Sequence, residues 1–444
     1  MGYVSRHGRR PNEYASKSAH SHIIKDPLVQ AFLTQCNLPK RAGDIGLPEK
    51  QCVSCQPIPD NPIRHIIAID GGYNEIAVQT EFPSSTVCFF QIGALIFSIE
   101  DLESIEEQPF IDPDDMARLK QIHRLKFTLP VRNVTMREER TLTESVRRAL
   151  YSFFRQRMDN GELIDSLKWF VFKEYSTPES QWTLASCPAC EQTEIPLYRS
   201  KMTKDYTFPC ERCGHEILLT DVFRLHEAID DELGAGGILG YVTTTIEQII
   251  IVHLIRLILE IKPALLKQIL FIKDGPLAFF GQTANMHKPM RSLVRFLFEH
   301  HDLYLAGLEK SGPFVEHADE ISEKIGNGTV FILDNDYIYK YVLPGKADPN
   351  NPYGRTTYYG NKLIFKTSMG SMYVTSLPTL HIISSPIEKD FHNLHQILMN
   401  IEKLKCDMYD NSLFPIALAN KLVSLANHPS SVILQRFAMG AIQH

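Results

Sequence analysis

The sequence predicts an α/β protein, a mixed sheet flanked by helices with a cysteine-rich insertion. Three observations carry that reading. Two apolar runs far apart in the chain, Arg64–Tyr73 (RHIIAIDGGY) and Ile269–Leu277 (ILFIKDGPL), each lead into Asp-Gly. Buried strands of α/β proteins read as unbroken apolar runs, and their chemistry gathers outside the strand ends. Between the two runs, Ile246, Ile250, Ile251, Leu254, Leu257, Ile258 and Ile261 recur at helical spacing until Pro263 stops them. In the same interval stand two CxxC pairs, Cys187–Cys190 and Cys210–Cys213.

With 444 residues and 44% apolar content, the chain can bury a large core. Its start, MGYVSRHGRRPNEYASKSAHSH, is basic and polar and lacks the apolar stretch of a signal peptide. The most apolar segment, Ile246–Ile261, is too short for a bilayer and carries Glu247, His253, Arg256 and Glu260. A soluble, cytoplasmic protein with no membrane partner is expected. Residues 1–60 read as an arm and a loop-rich segment, 61–444 as the main domain, and 183–220 as the insertion within it.

In order, a helix is predicted over Leu28–Gln35, then loop over Arg41–Asn61 with one CxxC, Cys52–Cys55. A lone CxxC is a weak metal half-site, and ordinary thiols are the preferred reading. Strands follow at His65–Ile69, Glu75–Thr80 and Thr86–Ile99, with a turn at Gly72 and a bulge at Gly93. The third is apolar enough for a central strand. Helical elements are predicted at Met136–Met158, Glu162–Phe172 and Asp221–Leu233. Gly234–Gly240 lacks the GK[ST] ending of a phosphate loop and reads as a flexible lead, with Thr243–Thr245 capping the helix that Glu247 opens. After the second Asp-Gly come a helix (Met290–His300), a strand (Leu303–Leu308) ending near Lys310, and strands at Thr329–Leu333, Lys362–Thr367 and Thr379–Ser384. Asp334-Asn335-Asp336 reads as a turn rather than as ligands.

The four cysteines make the strongest local motif. Nineteen residues separate Cys190 from Cys210, inside the range of a four-thiolate zinc ribbon. Four thiolates close a tetrahedral shell and leave no open position, so such a zinc is structural. His215 is left outside that shell.

Asp70, Glu247 and Asp274 suit different chemistry. Carboxylates are the ligands that hard divalent cations prefer, and a cluster of them is how two-metal phosphodiester hydrolysis is built. Taken singly, Asp274 reads as a turn cap and Glu247 as a stabiliser of a helix start. Glu260, one helix length on, rivals Glu247 as the third carboxylate, and spacing alone does not separate them. The net charge of −6 argues mildly against nucleic acid. Locally, Ala117–Met158 is basic, with Arg118, Lys120, Arg124, Lys126, Arg132, Arg137, Arg140, Arg147, Arg148, Arg155 and Arg157 against Glu138, Glu139 and Glu144, and could follow a phosphate backbone. Glu144 and Arg148 are expected to pair along their helix.

In order and kind, the Asp70-Gly71 strand end, a Glu on an apolar helix, Asp274-Gly-Pro-Leu277 and LYLAGLEKSG (Leu303–Gly312) resemble the NurA nucleases. The resemblance runs from Arg64 to the C-terminal region, interrupted by the ribbon. It implies a ribonuclease H-like fold, Mn- or Mg-dependent DNA cleavage by exo- or endonuclease action, a homodimer, and work beside a hexameric HerA-type ATPase in DNA end processing or antiviral defence. It also implies that Asp70, Glu247 and Asp274 hold the metal and that Lys310 is catalytic. Pro415–Lys421 (PIALANK) is similar to the family's Tyr-Pro…Ala-His segment, but Asn420 stands in place of the His, and Ser412 or Tyr409 near the place of the Tyr. Two other classes stand beside this reading: a non-catalytic zinc-ribbon adaptor with a decayed nuclease fold, and an Argonaute-like guided nuclease, for which the chain is short.

Overall fold

The computed structural model describes residues 17–38, 40–41, 46–100, 123–158, 161–343, 345–406, 413–425 and 430–442. The strands are β1 (Cys52–Ser54), β2 (His65–Gln79), β3 (Ser85–Ser98), β4 (His123–Arg132), the short pair β5 (Arg157–Met158) and β6 (Gly161–Glu162), β7 (Gln181–Ser186), β8 (Thr193–Tyr198), β9 (Thr207–Pro209), β10 (Glu216–Leu218), β11 (Ile269–Asp274), β12 (Tyr304–Glu309), β13 (Thr329–Ile332), β14 (Gly360–Lys366) and β15 (Met372–Pro378).

Nine of them form one mixed sheet in the order β1-β13-β14-β15-β12-β11-β2-β3-β4. β2, β3 and β4 are an antiparallel meander, and β11 and β12 run parallel to β2. That half is the ribonuclease H-like arrangement expected of three consecutive strands followed by helices and further strands. β15, β14, β13 and β1 extend the sheet antiparallel beyond β12.

Alternation along the strands separates two cores. Ile67, Ile69 and Phe271 point to the face covered by Leu239–Ile261 and Leu163–Val171, whereas Ile66, Ala68, Leu270 and Ile272 point to the face covered by Leu394–Lys403 and Phe414–Val423. The central parallel strands, covered on both sides, are accordingly apolar up to their carboxyl ends. Leu239–Ile261 is apolar nearly all round because it is buried between the sheet and Leu163–Val171. Ile246, Ile249, Ile250, Ile251, Val252 and Ile255 are buried in it. At about 2 kcal/mol each, they fix its rotation and therefore the direction of Glu247.

The structure corrects several expectations. β2 is one strand of 15 residues, not two with a turn at Gly72. Its pairing with β3 continues unbroken through Asp70↔Gly93 and Gly72↔Gln91, because Gly in an extended conformation joins a ladder as readily as a turn. Gly93 is likewise regular; the register shifts lie between Ala77 and Gln79 and between Thr86 and Val87. The long helix starts at Leu239, so Glu247 lies in its third turn and Thr243–Thr245 lie inside it. At 23 residues it is long and apolar enough to cross a membrane, contrary to the shorter estimate, yet 67% of its most apolar window is buried inside this protein. Asp221–Leu233 forms 3-10 turns, not a helix. The last sheet strand is Met372–Pro378, and Thr379–Ser384 follows it. Met136–Met158 shortens to the helix Leu142–Phe154.

Candidate active site

Two aspartates meet at the carboxyl end of the parallel strands. The β2–β11 ladder runs in register from His65↔Ile269 to Ile69↔Lys273, so Asp70 and Asp274 are the next residues on neighbouring strands. Both belong to the face of Ile66, Ala68, Leu270 and Ile272. After Asp70, β2 continues as an arm paired with β3, which is paired in turn with β4, whereas β11 ends in Gly275, whose φ of +83° is the left-handed turn that favours glycine. Asp274 pairs in register with Leu308 of β12, and Lys310, two residues on, donates to Asp274 Oδ2 at 2.8 Å.

Asp70 is 3% exposed. Its Oδ1 accepts from the Gly71 amide at 2.9 Å, and its Oδ2 is buried without a hydrogen-bond partner. Burial, then the charges of Asp274 and Glu247, push its carboxyl up to about 8, against partial relief from Lys310 and the Gly71 amide. A carboxyl so placed holds its proton near neutral pH unless a cation arrives.

Glu247 approaches from the helix face. One oxygen pairs with Lys273 Nζ at 3.0 Å. The other lies 3.0 Å from where a Cβ on Gly71 would stand, and that Cβ would also come 2.7 Å from Thr243, so only glycine fits there. Burial raises the Glu247 carboxyl, Lys273 opposes the rise, and Asp274 adds to it. Lys273 is as buried as Glu247 and also donates to the Asp274 carbonyl. Glu260 is paired with Arg256 at 2.8 Å on an exposed part of the same helix, so Glu247 is the carboxylate that reaches the cluster.

Asp70, Asp274, Glu247 and Lys310 are thus brought together, but not as one ready coordination shell. Among the described residues, the four cysteines are the group whose ligand atoms all lie within 4.8 Å of one another; the three carboxylates do not form such a group. Two lysines pair with them, Lys273 with Glu247 and Lys310 with Asp274. Lys273 was missed by sequence reading, although a lysine inside an otherwise apolar strand is itself a signal of a buried charge. Also missed was Lys362, buried, paired with Glu309 and lying 4.1 Å from the Phe314 ring centroid and 5.1 Å from that of Tyr358. Glu309 directly precedes Lys310, so this pair anchors the strand end that presents it. Oxygen ligands and an unpartnered buried carboxylate oxygen nevertheless fit a divalent cation.

The cysteines sit at the turns of the β7–β8 and β9–β10 hairpins. Sulfur separations are 3.8 Å for Cys187–Cys213 and 3.9 Å for Cys190–Cys210. Tetrahedral zinc with Zn–S near 2.3 Å requires about 3.8 Å between sulfurs. The amides of Ala189 and Cys190 are directed at the Cys187 sulfur, and those of Arg212 and Cys213 at the Cys210 sulfur. This is a four-thiolate site consistent with structural zinc.

His215 instead contacts Arg147 at 3.0 Å, within a network that holds the ribbon to Leu142–Phe154. Arg147 is buried and binds Asp221, Glu144 and the Glu216 carbonyl. Arg148 pairs with Glu139 and Glu216, not with Glu144, and Arg155 pairs with Glu162 and Asp205. The expected basic surface is therefore partly spent in ion pairs, with the local Glu139 and Glu144 and with Asp205, Glu216 and Asp221 from elsewhere in the chain. Arg118 and Lys120 lie outside the described residues.

Cys52 and Cys55 belong to no group of metal-ligand atoms found among the described residues. Cys52 packs against the cluster around Phe314 and Phe331, and Cys55 against the one around Val330 and Phe365, on the other face of β13 and β14. Asp334 caps a turn by accepting from the Tyr337 amide at 2.7 Å, as a turn residue should. Asn420 is exposed on Phe414–Val423, while the end of that helix covers the β2 arm: a Cβ on Gly72 would meet the Val423 carbonyl at 2.8 Å. Tyr409 and Ser412 lie outside the described residues.

Among solved structures, the chain is similar to the NurA nuclease from Sulfolobus solfataricus, with 8% identity and a TM-score of 0.32, over 96% of this chain and 92% of that one. A second NurA structure gives 11% identity and a TM-score of 0.26, over 97% of this chain and 98% of that one. No family model matches the sequence, and no curated protein does. Superposition at this level leaves the functional reading to the residues of the cluster.

Proposed function

We propose that this protein is a NurA-like, divalent-metal-dependent deoxyribonuclease that hydrolyses phosphodiester bonds. The observation that carries the reading is the pair Asp70 and Asp274, side by side on parallel strands, with a buried unpartnered oxygen on the first and Lys310 on the second. Asp70 and Asp274 would hold Mn or Mg, and Glu247 completes the carboxylate cluster from the helix side. A cation bound there would supply Lewis-acid charge for the scissile phosphate and lower the pKa of a water. To bind it, Asp70 would have to release the proton that burial favours. Lys310 has one terminal ammonium on a flexible stem, so it can leave Asp274 for a phosphate oxygen as negative charge develops there.

The sequence resemblance supports a homodimer and DNA delivery by a HerA-type hexameric ATPase, and a net charge of −6 suits a nuclease that receives DNA rather than capturing it alone. End processing and defence against foreign DNA are the roles such a pair serves. One observation favours the adaptor reading instead: Lys273 and Lys310 offset two of the three carboxylates without any metal.

Digestion of labelled single- and double-stranded DNA with Mn separates the readings. Wild type should cut, faster on long duplex when the hexamer and ATP are added, and Asp274→Asn should lose roughly a hundredfold, a few kcal/mol of transition-state stabilisation. Equal cleavage by Asp274→Asn and wild type would sink the enzyme reading.

A further inference from the structure

The nuclease reading leaves open how the three carboxylates share the metal, and the two faces of the sheet bear on it. Asp70 and Asp274 share one face. Glu247 comes from the helix that covers the other face, and Lys273 is one residue out of phase with Asp274. The Glu247 carboxylate is already engaged, by Lys273 at 3.0 Å and by the Gly71 amide, where no side chain would fit. Lys273 has no second acidic partner among the described residues; its remaining bond is to the Asp274 carbonyl. Buried carboxylates are tolerated only when paired, and here the pairing cation is part of the chain. Tyr359 is fully buried near Glu247, with its hydroxyl unpartnered.

Resting on the nuclease reading, we infer that the site takes one divalent cation, bound by Asp70 and Asp274, and that the Lys273 ammonium occupies the charge position a second ion would take, with Glu247 as its counter-ion. Glu247 is then a positioning residue. It holds Lys273 against the back of Asp274 and keeps the Asp274 carbonyl and carboxylate in place, without touching the cation. Two consequences separate this from a two-metal site. Removing the Glu247 charge leaves cation binding nearly intact, and removing the Lys273 charge frees an anionic Glu247 that recruits a second cation.

The test is Mn titration of zinc-loaded full-length protein, followed by calorimetry and by the electron paramagnetic resonance signal of free Mn, with thermal unfolding as a control for folding. Wild type should bind one Mn per chain. Glu247→Gln should bind one with affinity within about threefold, and Asp70→Asn should bind none. Lys273→Met, if it folds, should bind two and show the exchange-broadened spectrum of a coupled Mn pair. Two Mn per wild-type chain, or tenfold weaker binding in Glu247→Gln, would overturn the one-cation inference and leave the nuclease reading standing. No Mn bound to folded wild type would remove the nuclease reading itself.

Discussion

Asp70 makes the stability of the metal-free protein depend on pH in an unusual direction. Its carboxyl stands at about 8 in the folded chain, through burial first and the charges of Asp274 and Glu247 next, against an ordinary 3.8. Between those values the folded chain binds a proton that the unfolded chain has released. The contribution to stability is therefore complete below about pH 4 and is lost as pH rises through 8. At about 1.4 kcal/mol per pH unit the ceiling is about 6 kcal/mol. Asp70 shares its site with other charges that adjust to it, so about half of that, ~3 kcal/mol, is the working figure. A chain of 444 residues unfolds with an entropy of roughly 0.9 kcal/mol/K, which converts this to about 3 °C in Tm. Asp70→Asn removes the titration. In resin-treated buffer that leaves zinc bound, the Tm of Asp70→Asn minus that of wild type should grow by about 2 °C from pH 5 to pH 9, since part of the window lies below pH 5. Adding Mn at pH 8 should raise the wild-type Tm and leave the variant unchanged. A difference that stays flat, or shrinks as pH rises, would refute the burial and crowding assigned to Asp70.

Three further outcomes are expected. Elemental analysis should find about one zinc per chain, and Cys210→Ser should lose it together with solubility, since zinc binding and ribbon folding are one equilibrium. Lys362→Met leaves Glu309 buried without its cation and should lower stability by about 3–5 kcal/mol in denaturant titration, with Glu309→Gln added in the same chain recovering part of the loss. Lys310→Ala should cut DNA at least tenfold more slowly while binding Mn as well as wild type, because it removes a charge presented to phosphate and not a ligand.

Some of this was legible along the chain because it is written in local spacing. The zinc site needs two short loops that each present two sulfurs, so CxxC pairs 19 residues apart specify it almost completely. The two Asp-Gly strand ends were readable for a similar reason: burial on both faces demands an unbroken apolar run, and the first charge marks where it stops. Helix spacing placed Glu247 on a core helix but could not rank it against Glu260.

Tertiary structure decided the rest. Packing fixed the rotation of Leu239–Ile261, turning Glu247 inward and leaving Glu260 to Arg256. Register between β2 and β11, strands some two hundred residues apart, placed Asp70 beside Asp274, and no local pattern encodes a register between distant strands. The same holds for charge. Arg147 and Arg148 look like free basic surface until the ribbon brings Asp221 and Glu216 to them. Lys273 looks like the last residue of an apolar strand until the helix sets Glu247 over it. A sequence shows which charges a chain carries. Which of them remain free for a ligand depends on the partners that folding brings within a few ångströms, and those partners come from anywhere in the chain.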